Sequence, residues 1–166
     1  MEQILSKDNP RLRQIATSVT SADFNDAKFK EKLVAMRETL ESFADGIALA
    51  GPQIGLNKRV FIISEKINLD REDKIKNLIF INPEIKRQSK RRMAMEEGCL
   101  SVRNIYGETK RHEKVTVEAQ DENGKKFQYH GSDLFAQIFQ HEIDHLNGIL
   151  FIDHAKELHE VTPNKS

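Results

Sequence analysis

Between residues 24 and 44 the apolar positions Phe29, Leu33, Met36, Leu40 and Phe43 recur at spacings of four, three, four and three. That puts them on one face of a helix, with Lys and Glu on the other. Asp45-Gly46 follows, and Gly46 suits a C-terminal cap. A second stripe, Leu134, Ile138, His141 and His145, predicts a helix over about 133–147, with Ser132 placed to cap it and Gly148 to end it. Between the helices, RVFIISE (59–65) and NLIFINP (77–83) read as short strands separated by a charged loop, KINLDREDKIK. KVTVEAQ (114–120) alternates Val115, Val117 and Ala119 inward, Asn123-Gly124 is a hairpin turn signal, and KFQYHG (126–131) is the returning strand. Residues 1–22 read as an irregular arm with a turn at Asn9-Pro10, and the tail AKELHEVTPNKS is expected to fray. The order helix, strands, hairpin, helix is that of an α+β fold. The expected architecture is one domain over 1–166, with small antiparallel or mixed sheets packed around the C-terminal helix and the N-terminal helix beside them.

Composition removes several function classes. A chain of 166 residues suits one domain, and 26 basic residues balance 26 acidic ones, so net charge argues for neither nucleic acid nor an anionic membrane. A basic cluster, KRQSKRR at 86–92, is explained by a solvated loop or strand edge. The apolar runs IALA, VFII and LIFI fall far short of the roughly 20 residues of a membrane helix. The opening stretch MEQILSKDNPRLRQ lacks the basic and apolar regions of a secretory signal. The single cysteine, Cys99, fits a reducing compartment and, by itself, a small buried apolar residue.

The second helix carries the chemistry. On a helix, positions i and i+4 share a face, about 5–6 Å apart at Cβ. In QHEIDH (140–145), His141 and His145 can therefore chelate one metal ion. Glu142 lies about 100° around the helix, where it can take a proton from water that the metal has acidified toward a pKa of ~7. The alternative is an accidental match on a solvated face. Against it, both histidines continue the apolar inward stripe, and buried imidazoles need partners. Asp144 is a second candidate base or a supporting group, and His112, His130, His154 and His159 share no such spacing. Hydrolytic metal sites commonly take three protein ligands and keep one position open. Downstream donors for a third are Asp153, His154, Glu157, His159 and Glu160. Upstream, EEGCLS (96–101) offers the Cys99 thiolate.

Three stretches taken together, GIALAGPQIG (46–55), EGCLS (97–101) and QHEIDH, resemble in order and spacing the signature motifs of peptide deformylases. ILSKDNPRLR near the start and HLNGILFIDH after the helix are similar to that family as well. The resemblance implies that Cys99, His141 and His145 hold one divalent ion, Fe(II) natively, with Zn(II), Ni(II) or Co(II) as alternatives. It implies Glu142 as general base, and Gln53 and the Leu100 N–H as oxyanion donors, in hydrolysis of the formyl group from N-formylmethionine on new polypeptides. Gly46, Ile47, Ala48, Met95, Glu97, Gly98, Leu134 and Ile138 would bind substrate, the apolar ones around the methionine side chain. Glu97 and Arg111 match family positions and would form a supporting ion pair.

The implied partners are formylated nascent peptides and, as a further contact, the ribosome, with no membrane and no specific nucleic acid. The implied location is cytoplasmic, with an organelle form as the alternative. The family's first motif is usually GxGLAAxQxG; here Ala48 replaces the second glycine and Gly51 the second alanine. If position 48 needs a positive φ, its methyl would cost about 1 kcal/mol. Tyr106 stands where some members carry a peptide-contacting arginine. Two rivals are a metallopeptidase of another class, which HExxH alone would support, and a catalytically silent binding protein, which only Ala48 and Gly51 favour.

Overall fold

The computed structural model describes residues 1–162. Its elements run α1 (Ser21–Asn25), α2 (Ala27–Glu41), β1 (Ala48–Ala50), β2 (Val60–Ile63), β3 (Ile79–Gln88), β4 (Arg92–Cys99), β5 (Val102–His112), β6 (Lys114–Gln120), β7 (Lys126–Ser132), α3 (Leu134–Leu146) and β8 (Lys156–Glu160). The strands form two antiparallel sheets, one in the order β1-β2-β3-β6-β7 and one in the order β4-β5-β8. No helix of the described residues is long and apolar enough to cross a membrane.

The expected first helix is split. Asp26 closes α1 and opens α2: its backbone is extended, and its carboxylate accepts from Lys28 N. Phe29, Leu33, Met36 and Leu40 are buried on one face, as the spacing requires, but α2 ends at Glu41 and Phe43 lies beyond it. Gly46 is not the cap. Ser42 is the C-cap, its hydroxyl donating to Thr39 O. Gly46 is needed for a close approach instead, since a Cβ there would lie 2.8 Å from Leu40 O.

Ser132 does not cap α3 either. It is still paired in the sheet opposite Lys114, and the N-cap is Asp133, at φ 53° with no side-chain cap bond. The helix ends as the sequence indicates. Gly148 takes a left-handed φ of 73°, Gly148 N–H donates to His145 O, and Ile149 N–H donates to Asp144 O, a Schellman closure. A Cβ on Gly148 would stand 2.5 Å from Arg13 O, so the turn also needs glycine for space.

Four strands were not foreseen: the short β1 in the glycine-rich stretch, and β4, β5 and β8. β4 and β5 bury a polar set, Glu97, Thr109 and Arg111, on their inward face, so their pattern of apolar residues is broken where charge pairing replaces it. β8 forms in the tail expected to fray, held to β5 through backbone pairing, with every one of its side chains exposed. Helix α3 packs against strands of both sheets. Phe135, Phe139, Ile143 and Leu146 join the core with Phe61 and Phe80, whose rings stack at 4.7 Å between centroids. That leaves the polar positions of α3 for the gap between the sheets.

Candidate metal centre

Cys99 arrives at the end of β4, where the pairing with β5 slips after Glu97. That slip brings the thiol over α3. One donor atom each from Cys99, His141 and His145 lies within 4.8 Å of the others. His141 Nε2 and His145 Nε2 are 3.2 Å apart, and Cys99 Sγ lies 3.4 Å from His145 Nε2. None of the downstream donors joins this group. His154 instead approaches Asp144 at 3.6 Å, and His159 approaches Glu96 at 3.3 Å.

The supporting groups fix which atoms face inward. His141 Nδ1 is 2.5 Å from Glu97 Oε1, so the ring donates there and turns the Nε2 lone pair toward the cluster. Glu97 is in turn gripped by Arg111 Nη2 at 2.5 Å and Nε at 3.1 Å, by Thr109 Oγ1 at 2.6 Å and by Gln137 Nε2 at 3.3 Å. Arg111 Nη1 reaches Asp144 Oδ2 at 2.6 Å. Burial alone would raise the Glu97 carboxyl, but hydrogen bonds from His141 and Arg111 outweigh it and hold the group well below the usual carboxylate range.

Burial and the neighbouring His141 push His145 well below its ordinary value, so its ring is neutral. Burial pushes Glu142 up to about 7, against the opposing pull of His141. Glu142 Oε2 and His145 Nδ1 are buried without a hydrogen-bond partner.

His141 Nε2, His145 Nε2 and the thiol sulfur converge within hydrogen-bonding range, and the three cannot satisfy one another without a proton or a cation among them. One thiolate and two imidazoles are a common donor set for a tetrahedral divalent ion with one open position. The residues fit a resident metal.

A cavity of about 310 Å³ opens beside this cluster. Of the residues expected to act on substrate, Ile47, Ala48, Gln53, Glu97, Gly98, Leu100, Leu134, Ile138 and Glu142 line it; Gly46 and Met95 do not. Met95 lies on β4 opposite Thr109, and Gly46 stands against Leu40. Gln53 is held from both ends: its Oε1 accepts from Ala50 N at 2.9 Å, and its Nε2 donates to Ser101 Oγ at 3.1 Å and faces Cys99 Sγ at 3.5 Å. Ala48 sits in an extended strand with no positive φ, so its methyl carries no backbone strain. Gly51 is required where it stands, because a Cβ would lie 2.9 Å from two carbonyl oxygens, those of Leu56 and Lys58.

Sequence reasoning missed Gln137, Thr109 and Ser101, which hold Glu97 and Gln53, and the cavity walls Arg103 and Asn104. Gln137 had a readable signal: it lies one turn before His141. The others come together only through strand pairing.

A family model described as Polypeptide deformylase matches residues 1–161. The chain is 40% identical over 150 residues to a peptide deformylase of Rhizobium meliloti, covering 90% of this chain and 82% of that one. Its fold matches a crystal structure of a peptide deformylase from Legionella pneumophila with a TM-score of 0.82 at 39% identity, over 95% of this chain and 87% of the other. A peptide deformylase from Synechococcus elongatus, solved in complex with actinonin, matches with a TM-score of 0.81 at 35% identity, over 94% of this chain and 79% of that one. With its donor set and near-complete coverage by these relatives, the chain belongs to the polypeptide deformylase family as one of its metallohydrolases.

Proposed function

We propose that this chain, acting as a single catalytic domain over 1–166, hydrolyses the formyl group from the N-terminal N-formylmethionine of newly made polypeptides, releasing formate. The observation that carries the reading is the meeting of Cys99, His141, Glu142, Gln53 and Leu100 at one cavity wall. A divalent ion held by Cys99, His141 and His145, Fe(II) or one of Zn(II), Ni(II) and Co(II), would supply Lewis acidity toward the formyl oxygen and the attacking water.

The chain's own groups do the rest. Glu142 takes a proton from the water as it attacks the formyl carbon, then gives one to the departing amine as the C–N bond breaks, leaving formate and a free N-terminus. Its raised pKa, about 7, suits a group that both accepts and returns a proton near neutrality. Gln53 Nε2 and the Leu100 N–H donate to the developing oxyanion. Ala50 N and Ser101 Oγ lock the Gln53 amide so that it costs little to orient.

β1 and β4 are edge strands of their sheets, and both carry cavity-lining residues. An extended peptide can add to such an edge through backbone hydrogen bonds. Ile47 and Leu134, 45% and 36% exposed, stand on the rim, and with the buried Ile138 would cover a methionine side chain. Formylated nascent chains require bacterial-type translation, which places the enzyme in the cytoplasm, or in an organelle, beside the ribosome and away from membranes.

The test is formate release from formyl-Met-Ala-Ser by protein purified without oxygen and assayed for metal. Release at one metal per chain is expected; a fully metallated protein that releases none overturns the reading. Gln53→Ala is expected to lower kcat about 10²-fold while leaving metal content unchanged. Unchanged kcat would remove Gln53 from the oxyanion site.

A further inference from the structure

The outer part of the cavity holds charges that the reaction does not use. Asp45 and Ile47, on the connection from α2 to β1, belong to one wall, and Arg103 and Tyr106 on β5 belong to another. Arg103 joins the two: its Nη1 donates to Asp45 Oδ2 at 3.3 Å, and its guanidinium carbon lies 5.7 Å from the centre of the Phe43 ring. Among the described residues that line the cavity, it is the one Lys or Arg. The other outer carboxylate, Glu96, faces His159 at 3.3 Å.

Backbone and packing aim this side chain. Arg103 follows Val102, whose strand partner is Cys99, so it starts beside the metal centre. Asn104 then takes a left-handed φ of 63°, a conformation asparagine tolerates better than most residues. That residue interrupts the extended backbone of β5 just after Arg103, and Val161 N–H holds it by donating to Asn104 O at 2.8 Å. The Phe43 face adds a cation–π support from the opposite wall. The pair with Asp45 is single and long, with side chains 51% and 58% exposed, so it orients Arg103 but yields easily to a competitor. A guanidinium has five N–H donors, and one contact leaves most of them free. Arg111 in this same fold serves two carboxylates at once, Glu97 and Asp144.

We propose that Arg103 is a specificity-determining residue that binds a carboxylate of the substrate, an aspartate or glutamate side chain on the second or third residue of the peptide, beside Asp45. This role rests on the deformylase reading, in which a peptide runs outward from the metal centre. One residue and one strand pair separate Arg103 from Cys99, so their backbones lie within about 10 Å of each other. An extended peptide advances about 3.3 Å per residue. With the methionine side chain in the apolar part of the cavity, the next two residues pass between Asp45 and Arg103. A carboxylate there meets the free side of a planar, preoriented fork, which suits two-pronged binding.

The experiment compares formyl-Met-Ala-Asp with formyl-Met-Ala-Asn, and formyl-Met-Asp-Ala with formyl-Met-Asn-Ala, all as C-terminal amides, on the holoenzyme at low salt. At one of the two positions kcat/KM should favour Asp over Asn by about three- to fivefold, through KM, and the preference should shrink as salt rises. Arg103→Gln should abolish or invert the preference, Arg103→Lys should leave part of it, and Asp45→Asn should enlarge it by removing the competing carboxylate. Arg92→Gln, at a β4 position outside this cavity, should not alter it. Dissociation constants of the unformylated peptides on the metallated protein read the same preference without turnover, so a protein that releases no formate still tests Arg103. Overturning results are an equal or inverted Asp-to-Asn ratio in the wild type, or a ratio that survives Arg103→Gln. A larger gain from Lys at the same position would also overturn it, since Asp45 and Glu96 would then be the groups the peptide meets.

Discussion

Glu142→Gln is expected to lower kcat about 10³–10⁴-fold while the protein keeps its fold and one metal per chain. The exchange is isosteric, and Glu142 is not among the three converging donors, so the site that holds the ion is untouched. What is lost is the proton carrier. One oxygen of Glu142 lies 3.9 Å from His141 Nε2 and the other is buried with no partner, an arrangement that costs stability unless the group has work to do there. An amide cannot accept a proton from water or return one to an amine. The measurement is single-turnover formate release beside metal analysis of the same sample. Loss of turnover with metal retained assigns the proton transfers to Glu142. Loss of both would mean that the carboxylate helps hold the ion, and retained turnover would remove it from the mechanism. The same variant separates an enzyme from a silent binding protein, since a protein without turnover has none to lose.

The parts of this site that lie on one element were readable in the sequence, and the parts that depend on pairing were not. His141, Glu142 and His145 share a helix, so spacing alone set their geometry, and Gly148 marked the helix end because a left-handed residue there needs glycine. Cys99 could be suspected only from its neighbours, because what brings it over α3 is a slip in β4–β5 pairing with no sequence marker. The same strands escaped notice because Glu97 and Arg111 occupy inward positions that a strand usually fills with apolar residues. β8 escaped for the opposite reason: its side chains are all exposed, and it is recruited by the edge of β5 through backbone bonds that any sequence can make. The N-terminal helix was read through Asp26 because its apolar stripe begins only at Phe29 and so does not mark where the helix starts, while the carboxylate that opens α2 acts locally.

Arg111→Met is expected to destabilise the protein by about 3–5 kcal/mol and to weaken metal binding about 10–100-fold. Arg111 is 5% exposed and joins two carboxylates, Glu97 and Asp144, that would otherwise face each other's elements without a cation. Methionine fills much of the volume, so the loss is electrostatic rather than a cavity. Glu97 is then left as a buried anion with less to hold it, or takes up a proton. Protonated, it is a poorer acceptor for His141 Nδ1; charged, it has lost the grip that held it in place, and either way the imidazole loses the fixed partner that sets its ring and its tautomer. Two effects are therefore coupled through one hydrogen bond, and a second substitution separates them. Adding Glu97→Gln removes the buried anion, so the double variant should recover a large part of the stability but none of the metal affinity, because a neutral amide does not replace the carboxylate behind His141. Arg111→Lys keeps the charge without the two-pronged grip on Glu97 and should fall between wild type and Arg111→Met in both readouts. Denaturant unfolding of the metal-free protein reads the first effect, and competition with a chelator reads the second. If metal affinity followed stability in every variant, the chain from Asp144 through Arg111 and Glu97 to His141 would be no more than a structural bridge; recovery of stability alone in the double variant would make it the part of the fold that tunes the metal centre.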